Sequence, residues 1–364
     1  MELPKELDQI DAKWLTAALH AAGTLTQGSV KSLQAEPIAI GVGLMGRLAR
    51  LTVDYEGADA DAPRSIIFKY PIDLPQNRQV ADAYRFYKRE CDFYRHLAPQ
   101  SPLRTPKVYF NQCDEDLQFV LLLEDLASAR AGDQVAGNSA DDAQRAIAEL
   151  AKHHAHFWGK TGDYDYLIDI DDPIVCAVLE QSYGPALPAT LEAYSDMFSP
   201  ELAETAKGLA TRTTRAMQKT RLERPLTLAH GDFRADNLFY EGLPGGGDLA
   251  VIDWQICTRS YGPFDVAYHL TQSVSPDTRR RIERPILENY HRTLVEHGIE
   301  DLSFEQLWEY YRMDALFALV YPVTVCGALD LSDPRAKALG HVFLERSLSA
   351  IADLNAGEKL SEWD

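Results

Sequence analysis

Positive charge is scarce in this 364-residue chain: 36 Lys and Arg stand against 55 Asp and Glu, a formal net charge of −19. A surface so acidic repels phosphate backbones and anionic lipid, which argues against nucleic acid and membranes as partners. The acid is spread along the whole length and serves first to keep the surface solvated, although it would also draw in a cationic substrate. Close cysteine pairs are missing too. Cys91, Cys113, Cys176, Cys257 and Cys326 are odd in number and far apart, so neither a zinc site nor a redox pair is signalled, and they read as small buried hydrophobes in a reducing compartment. No long apolar run occurs. The richest, residues 315–329, contains Pro322 and is flanked by Asp314 and Asp330; it falls short of the roughly 20 residues a bilayer needs and reads as a buried helix. The opening MELPKELDQIDAKWL is acidic where a secretory signal is basic and then apolar, so a cytoplasmic protein is expected. There is no repeat or heptad series.

What is present suits two lobes, since 46% of the residues are hydrophobic and chains above about 250 residues usually split. Residues 6–22 carry Leu7, Ile10, Trp14, Leu15 and Leu19 at helical spacing. A glycine loop then precedes Leu51, Val53 and Tyr55 in alternation, EGADADAP makes a turn, and SIIFKY follows as a second strand. A helix is expected over residues 79–98, then strands at KVYF and QFVLLLED. The polar stretch ASARAGDQVAGNSADD reads as the link between lobes. Beyond it helices dominate, interrupted by one β-hairpin. The expectation is an α+β chain, with an antiparallel-sheet lobe at 1–126 and a larger helical lobe at 127–364.

The strongest chemical signal is His230-Gly231-Asp232-Phe233-Arg234-Ala235-Asp236-Asn237, followed by Leu249-Ala250-Val251-Ile252-Asp253-Trp254. Two apolar strands flank the turn GLPGGGD, and a hairpin centred near Gly245 places Asn237 and Asp253 at its open end, with Asp232 just before it. Mg²⁺ favours a few oxygen ligands, which Asp253 and Asn237 offer. A carboxylate held nearby but off the metal, Asp232, suits proton acceptance from an attacking hydroxyl. Asp and Asn also cap turns, the plainer role for Asp232, Asp236 and Asn237.

Gly41-Val42-Gly43-Leu44-Met45-Gly46 is a G-x-G-x-x-G. A dinucleotide fold would need a helix after it, whereas strand-like alternation follows here; a tight turn is the simple alternative. Lys69 stands in the apolar strand SIIFKY, where an ammonium is costly unless it meets an anion or snorkels from an edge strand. Glu90 shares a helical face with Phe86, Tyr87, Phe93, Tyr94 and Leu97, and a carboxylate on an aromatic stripe asks for a cation. His153, His154 and His156 invite a metal reading, but His154 lies on an apolar face and reads as a buried, hydrogen-bonded histidine. Asp265 reads as a helix cap.

HGDFRADN with IDW resembles the catalytic and metal-binding loops of the aminoglycoside phosphotransferase and choline kinase superfamily, relatives of protein kinases. With LLLEDL and HAHFW it looks most like the ecdysteroid-kinase-like branch and related bacterial proteins. The resemblance implies a bilobal protein-kinase-like fold and transfer of the γ-phosphate of ATP, with Mg²⁺, to a hydroxyl of a small aminoglycoside-, choline- or steroid-like alcohol. It implies Asp232 as catalytic base, Arg234 facing the transferred phosphate, and Asn237 and Asp253 on the metal. It further implies Gly41, Gly43 and Gly46 over the phosphates, Lys69 on them, Glu90 fixing Lys69, and backbone at Leu123, Glu124 and Leu126 holding adenine. The matching position to Asp265 supports the catalytic loop, and His230 orients it. A catalytically silent nucleotide-binding relative is the alternative.

Overall fold

In the computed structural model, which describes residues 1–38, 46–72, 75–328 and 332–364, the strand-rich part of the sequence forms one five-stranded antiparallel sheet. Its strands are β1 (Ser29–Ile38), β2 (Gly46–Glu56), β3 (Ser65–Pro71), β4 (Val108–Cys113) and β5 (Phe119–Glu124), in the order β1-β2-β3-β5-β4. The β2–β3 pair is antiparallel, with Leu48 opposite Lys69. β1 gives almost no sequence signal because only Val30 of its residues is buried, and it holds Pro37, which an edge strand tolerates.

Alternation along β3 sends successive side chains to opposite faces. Ile66, Phe68 and Tyr70 join Leu51, Val53, Val120 and Leu122 in a core completed by Leu15 and Leu19 of the helix Ala12–Ala21, whose N-terminus is capped by Asp11 accepting from the Trp14 N–H at 2.7 Å. Lys69 is thereby turned to the other face, where Tyr87 stacks on Phe119 of β5 with ring centroids 4.3 Å apart. The single helix expected over 79–98 is instead Pro75–Ala83, Phe86–Asp92 and a wider π-helical turn Phe93–Leu97. The break falls at Arg85, whose φ of +54° no continuous right-handed helix allows.

Two compact units make up the chain: Met1–Arg130 with Glu241–Ile256, and Ala131–Tyr240 with Cys257–Asp364. The segment Glu241–Ile256, expected with the helical half, groups with the sheet. Its ties there are specific. The Val251 N–H donates to the Arg104 carbonyl at 2.9 Å, the Arg104 guanidinium donates to the carbonyls of Pro244 and Gly246, and Trp254 lies flat on Phe93 at 3.9 Å and 6°.

The second unit is mainly helical. Ser139 caps the helix Ala140–Phe157, whose buried side, including Ala143, Ile147, Leu150 and Ala151, packs on the helix Pro276–Glu296. Pro173–Ala193 is helical despite Pro185 and Pro188, which is why the sequence left it unmarked. The apolar run from 315 onward is split between the helices Phe304–Phe317 and Val320–Ala328, not one continuous buried helix. Among the described residues no helix is long and apolar enough to cross a membrane. A sheet followed by helices makes the fold α+β.

Candidate active site

In the first unit, three charged side chains meet. β3 lies between β2 and β5, so Lys69 is not on a sheet edge and cannot snorkel from one. It is 8% exposed, with its Nζ 2.7 Å from Glu90 Oε2 and 2.9 Å from Asp253 Oδ1. Burial opposes its charge, but Asp253 and Glu90 more than offset this and hold the ammonium pKa above its ordinary value. Glu90 is 1% exposed and also accepts from the Trp254 N–H. Burial pushes its carboxyl up to about 7 against the pull of Lys69, and the negative charge of Asp253 adds to the rise. Two carboxylates thus share one ammonium. Asp253 itself has φ +65°, a left-handed conformation that costs a non-glycine residue about 1 kcal/mol and that is found enriched at functional sites.

Of the glycine loop, Gly41 and Gly43 lie outside the described residues. Gly46 opens β2, and a Cβ there would touch Lys69 Cε at 3.4 Å. At the end of β5, Leu123 and Leu126 are buried. The Glu124 carboxylate accepts from the Lys107 N–H at 3.1 Å and from Arg104 at 3.3 Å, and its own N–H donates to the Lys107 carbonyl. The Leu126 carbonyl accepts from Ala129, while among the described residues nothing accepts from the Leu126 N–H.

In the second unit the loop 230–237 runs from the strand Thr227–Ala229, paired with Thr258–Ser260, into the short turn Ala235–Asn237 and the strand Leu238–Tyr240. The helix Pro263–Gln272 holds it from one side. Asp265, fully buried, accepts from the backbone N–H groups of His230 (2.7 Å) and Gly231 (2.9 Å), and it is 3.2 Å from His154 Nε2. His154 Nδ1 in turn is 2.8 Å from the Tyr290 hydroxyl. The Asp232 N–H donates to His230 Nδ1 at 3.1 Å, and His269 Nδ1 meets the Phe233 carbonyl at 3.1 Å.

Asp232 does not cap a turn. Its Oδ1 accepts from the Tyr268 hydroxyl at 2.9 Å, and its Oδ2 accepts from Asn237 Nδ2 at 2.9 Å and Arg234 Nε at 3.2 Å. Arg234 also pairs with Asp236 at 2.6 Å, so two carboxylates hold the guanidinium. Asn237 donates a further bond to the Asp232 carbonyl at 2.9 Å, and among the described residues its Oδ1 accepts nothing. Tyr268 was not singled out in the sequence, where it sits in an apolar helix. Its one signal is the spacing of three from Asp265, which places both on one helical face.

The ecdysteroid kinase-like family profile matches residues 41–304. The chain belongs to the ecdysteroid kinase-like family. No curated protein matches the sequence. Within the matched span of this small-molecule kinase family lie Lys69, Glu90, Asp232, Asn237 and Asp253. The fold is similar to that of a single-residue variant of aminoglycoside 2′-phosphotransferase-IIIa in its GDP complex, at 14% identity over 94% of this chain and 99% of that one, with a TM-score of 0.52. It is also similar to the microcompartment-associated aminopropanol kinase, at 15% identity over 95% and 99% of the two chains, with a TM-score of 0.50. At such identities the likeness is one of fold.

Taken each in its own unit, Asp253 offers a carboxylate and Asn237 an amide oxygen that accepts nothing among the described residues, both of them oxygen donors of the kind a hard divalent cation takes. Among the described residues no three His, Cys, Asp or Glu side chains gather as a metal site.

Proposed function

We propose that the chain is an ATP- and Mg²⁺-dependent phosphotransferase that moves the γ-phosphate to a hydroxyl of a small molecule. The observation that carries this reading is the Lys69–Glu90–Asp253 cluster, in which a strained aspartate and a buried helix carboxylate fix one ammonium in place. Family membership supports it. Asp253 and Asn237 would hold Mg²⁺, which when bound neutralises phosphate charge. Lys69, fixed by Glu90, binds the nucleotide phosphates, with Gly41, Gly43 and Gly46 allowing the backbone close to them. Backbone groups at Leu123, Glu124 and Leu126 hold the adenine, and among the described residues the N–H of Leu126 has no competing acceptor. Arg234 sits beside Asp232 and offsets charge on the transferred group.

Asp232 orients the acceptor hydroxyl and takes its proton as the new O–P bond forms. A small-molecule acceptor fits the connection after Asp253, which enters the helix Pro263–Gln272 within ten residues and has no long segment on which a peptide could lie. Aminoglycoside-, choline- and steroid-like alcohols are the classes to try. The test is ADP release with Mg·ATP and a panel of such alcohols. Asp232→Asn should abolish transfer while leaving ATP binding intact; equal turnover by that variant discards the assignment. ATP binding without turnover of any acceptor would identify a silent relative instead.

A further inference from the structure

The helix Pro263–Gln272 grips the loop 230–237 through one face. Asp265 takes two backbone N–H groups, His269 meets the Phe233 carbonyl, and Tyr268 alone reaches the Asp232 side chain. The first two contacts fix where the loop runs; only the third can fix how the carboxylate is turned. We propose that Tyr268 positions the Asp232 carboxylate and makes Oδ1 the oxygen that receives the acceptor's proton, an assignment resting on the reading of Asp232 as general base.

Donor counting distinguishes the two oxygens. Each carboxylate oxygen accepts about two hydrogen bonds. Oδ2 already has two, from Asn237 Nδ2 and Arg234 Nε, whereas Oδ1 has one, from Tyr268. Oδ1 therefore keeps the site at which an incoming hydroxyl can donate. The phenol is itself held still. Tyr268 is 4% exposed, and its ring packs against Tyr321 at 5.0 Å and 66° and against Phe264 at 6.0 Å and 27°. Burial first, and the Asp232 charge second, keep its pKa well above the ordinary value, so it remains a donor throughout the working range of pH. It does not supply the transferred proton. In the step, the acceptor O–H bond breaks toward Oδ1 and its electron pair forms the O–P bond. The bond from the γ-phosphorus to the bridging oxygen breaks, and ADP leaves with that pair. Without the phenol, the carboxylate is pulled only from the Oδ2 side and can rotate away from the acceptor. Misplacement of about 1 Å at such a position costs up to about a hundredfold in rate.

The experiment compares the unaltered protein, Tyr268→Phe and Asp232→Asn by ADP release from Mg·ATP with water as acceptor. Tyr268→Phe keeps the ring and its packing. The expected result is a kcat about tenfold lower or more, with KM for ATP within about twofold and an unchanged thermal midpoint. A second measurement needs no turnover: the fluorine resonance of a fluorotyrosine placed at position 268 should shift when Asp232→Asn is introduced. Full kcat in Tyr268→Phe, a fall matched by a lower thermal midpoint, or a resonance indifferent to Asp232→Asn overturns the assignment of Tyr268 alone. Full ADP release by Asp232→Asn overturns the base reading and this assignment with it; should the unaltered protein pass no phosphate to water, the resonance decides the assignment of Tyr268.

Discussion

Lys69, Glu90 and Asp253 show at the scale of single residues how an expensive charge becomes useful. Glu90→Ala leaves Lys69 paired with Asp253 but removes a buried hydrogen bond to charge, so it should destabilise the protein by about 1.5–3 kcal/mol, read from urea unfolding. Asp253→Ala should weaken Mg·ATP binding about tenfold or more, read by titration calorimetry; an unchanged dissociation constant removes Asp253 from the metal. His269 makes a pH prediction. Burial depresses its pKa from 6.5 to about 4, so its contribution to stability is complete above pH 6.5 and disappears as pH falls through 4. The loss amounts to about 3 kcal/mol, and urea midpoints across that window should fall less in His269→Gln. Lys69 and Glu90 were legible in the sequence because each is a charge among apolar residues. Tyr268 was not, since a tyrosine in an apolar helix looks like any core residue until its hydroxyl is seen on Asp232.

Among elements, those that announced themselves have one buried face and one wet one, as in Ala140–Phe157 and β3. β1 did not, because an edge strand with a single buried residue shows no alternation, nor did Pro173–Ala193, where two prolines mask a helix held from outside. Thr190 of that helix donates to the Val323 carbonyl at 3.1 Å, a tertiary tie that no local pattern records. The loop 230–237 is likewise seated by another segment. A Cβ on Gly132 would collide with the backbone of Ala235, in the turn that leads to Asn237. Gly132→Ala should therefore shift that turn, lowering kcat and destabilising by about 1–3 kcal/mol, read by ADP release and thermal melting. Unaltered kinetics would mean that the loop's position does not matter to the reaction.

For the whole molecule, the order of sheet first and helices after was readable from periodicity, and the α+β class followed. The grouping of Glu241–Ile256 with the sheet was not, since it depends on Trp254 finding Phe93 and Val251 finding Arg104, partners about 150 residues away in sequence. The resemblance carried by HGDFRADN and IDW reached the family directly, and the profile match to residues 41–304 agrees with it. It did not reach the acceptor, because a loop motif of this kind says nothing of which alcohol is taken. The central claim is that this chain makes phosphate esters through Asp232. Its most direct test is mass spectrometry of hydroxylated metabolites, steroids and aminoglycosides incubated with Mg·ATP and either the unaltered protein or Asp232→Asn. The account predicts a phosphate ester formed in step with ADP by the unaltered protein and none by the variant, although both bind ATP. An ester made equally well by both, or ATP bound with no ester from any alcohol, would contradict it.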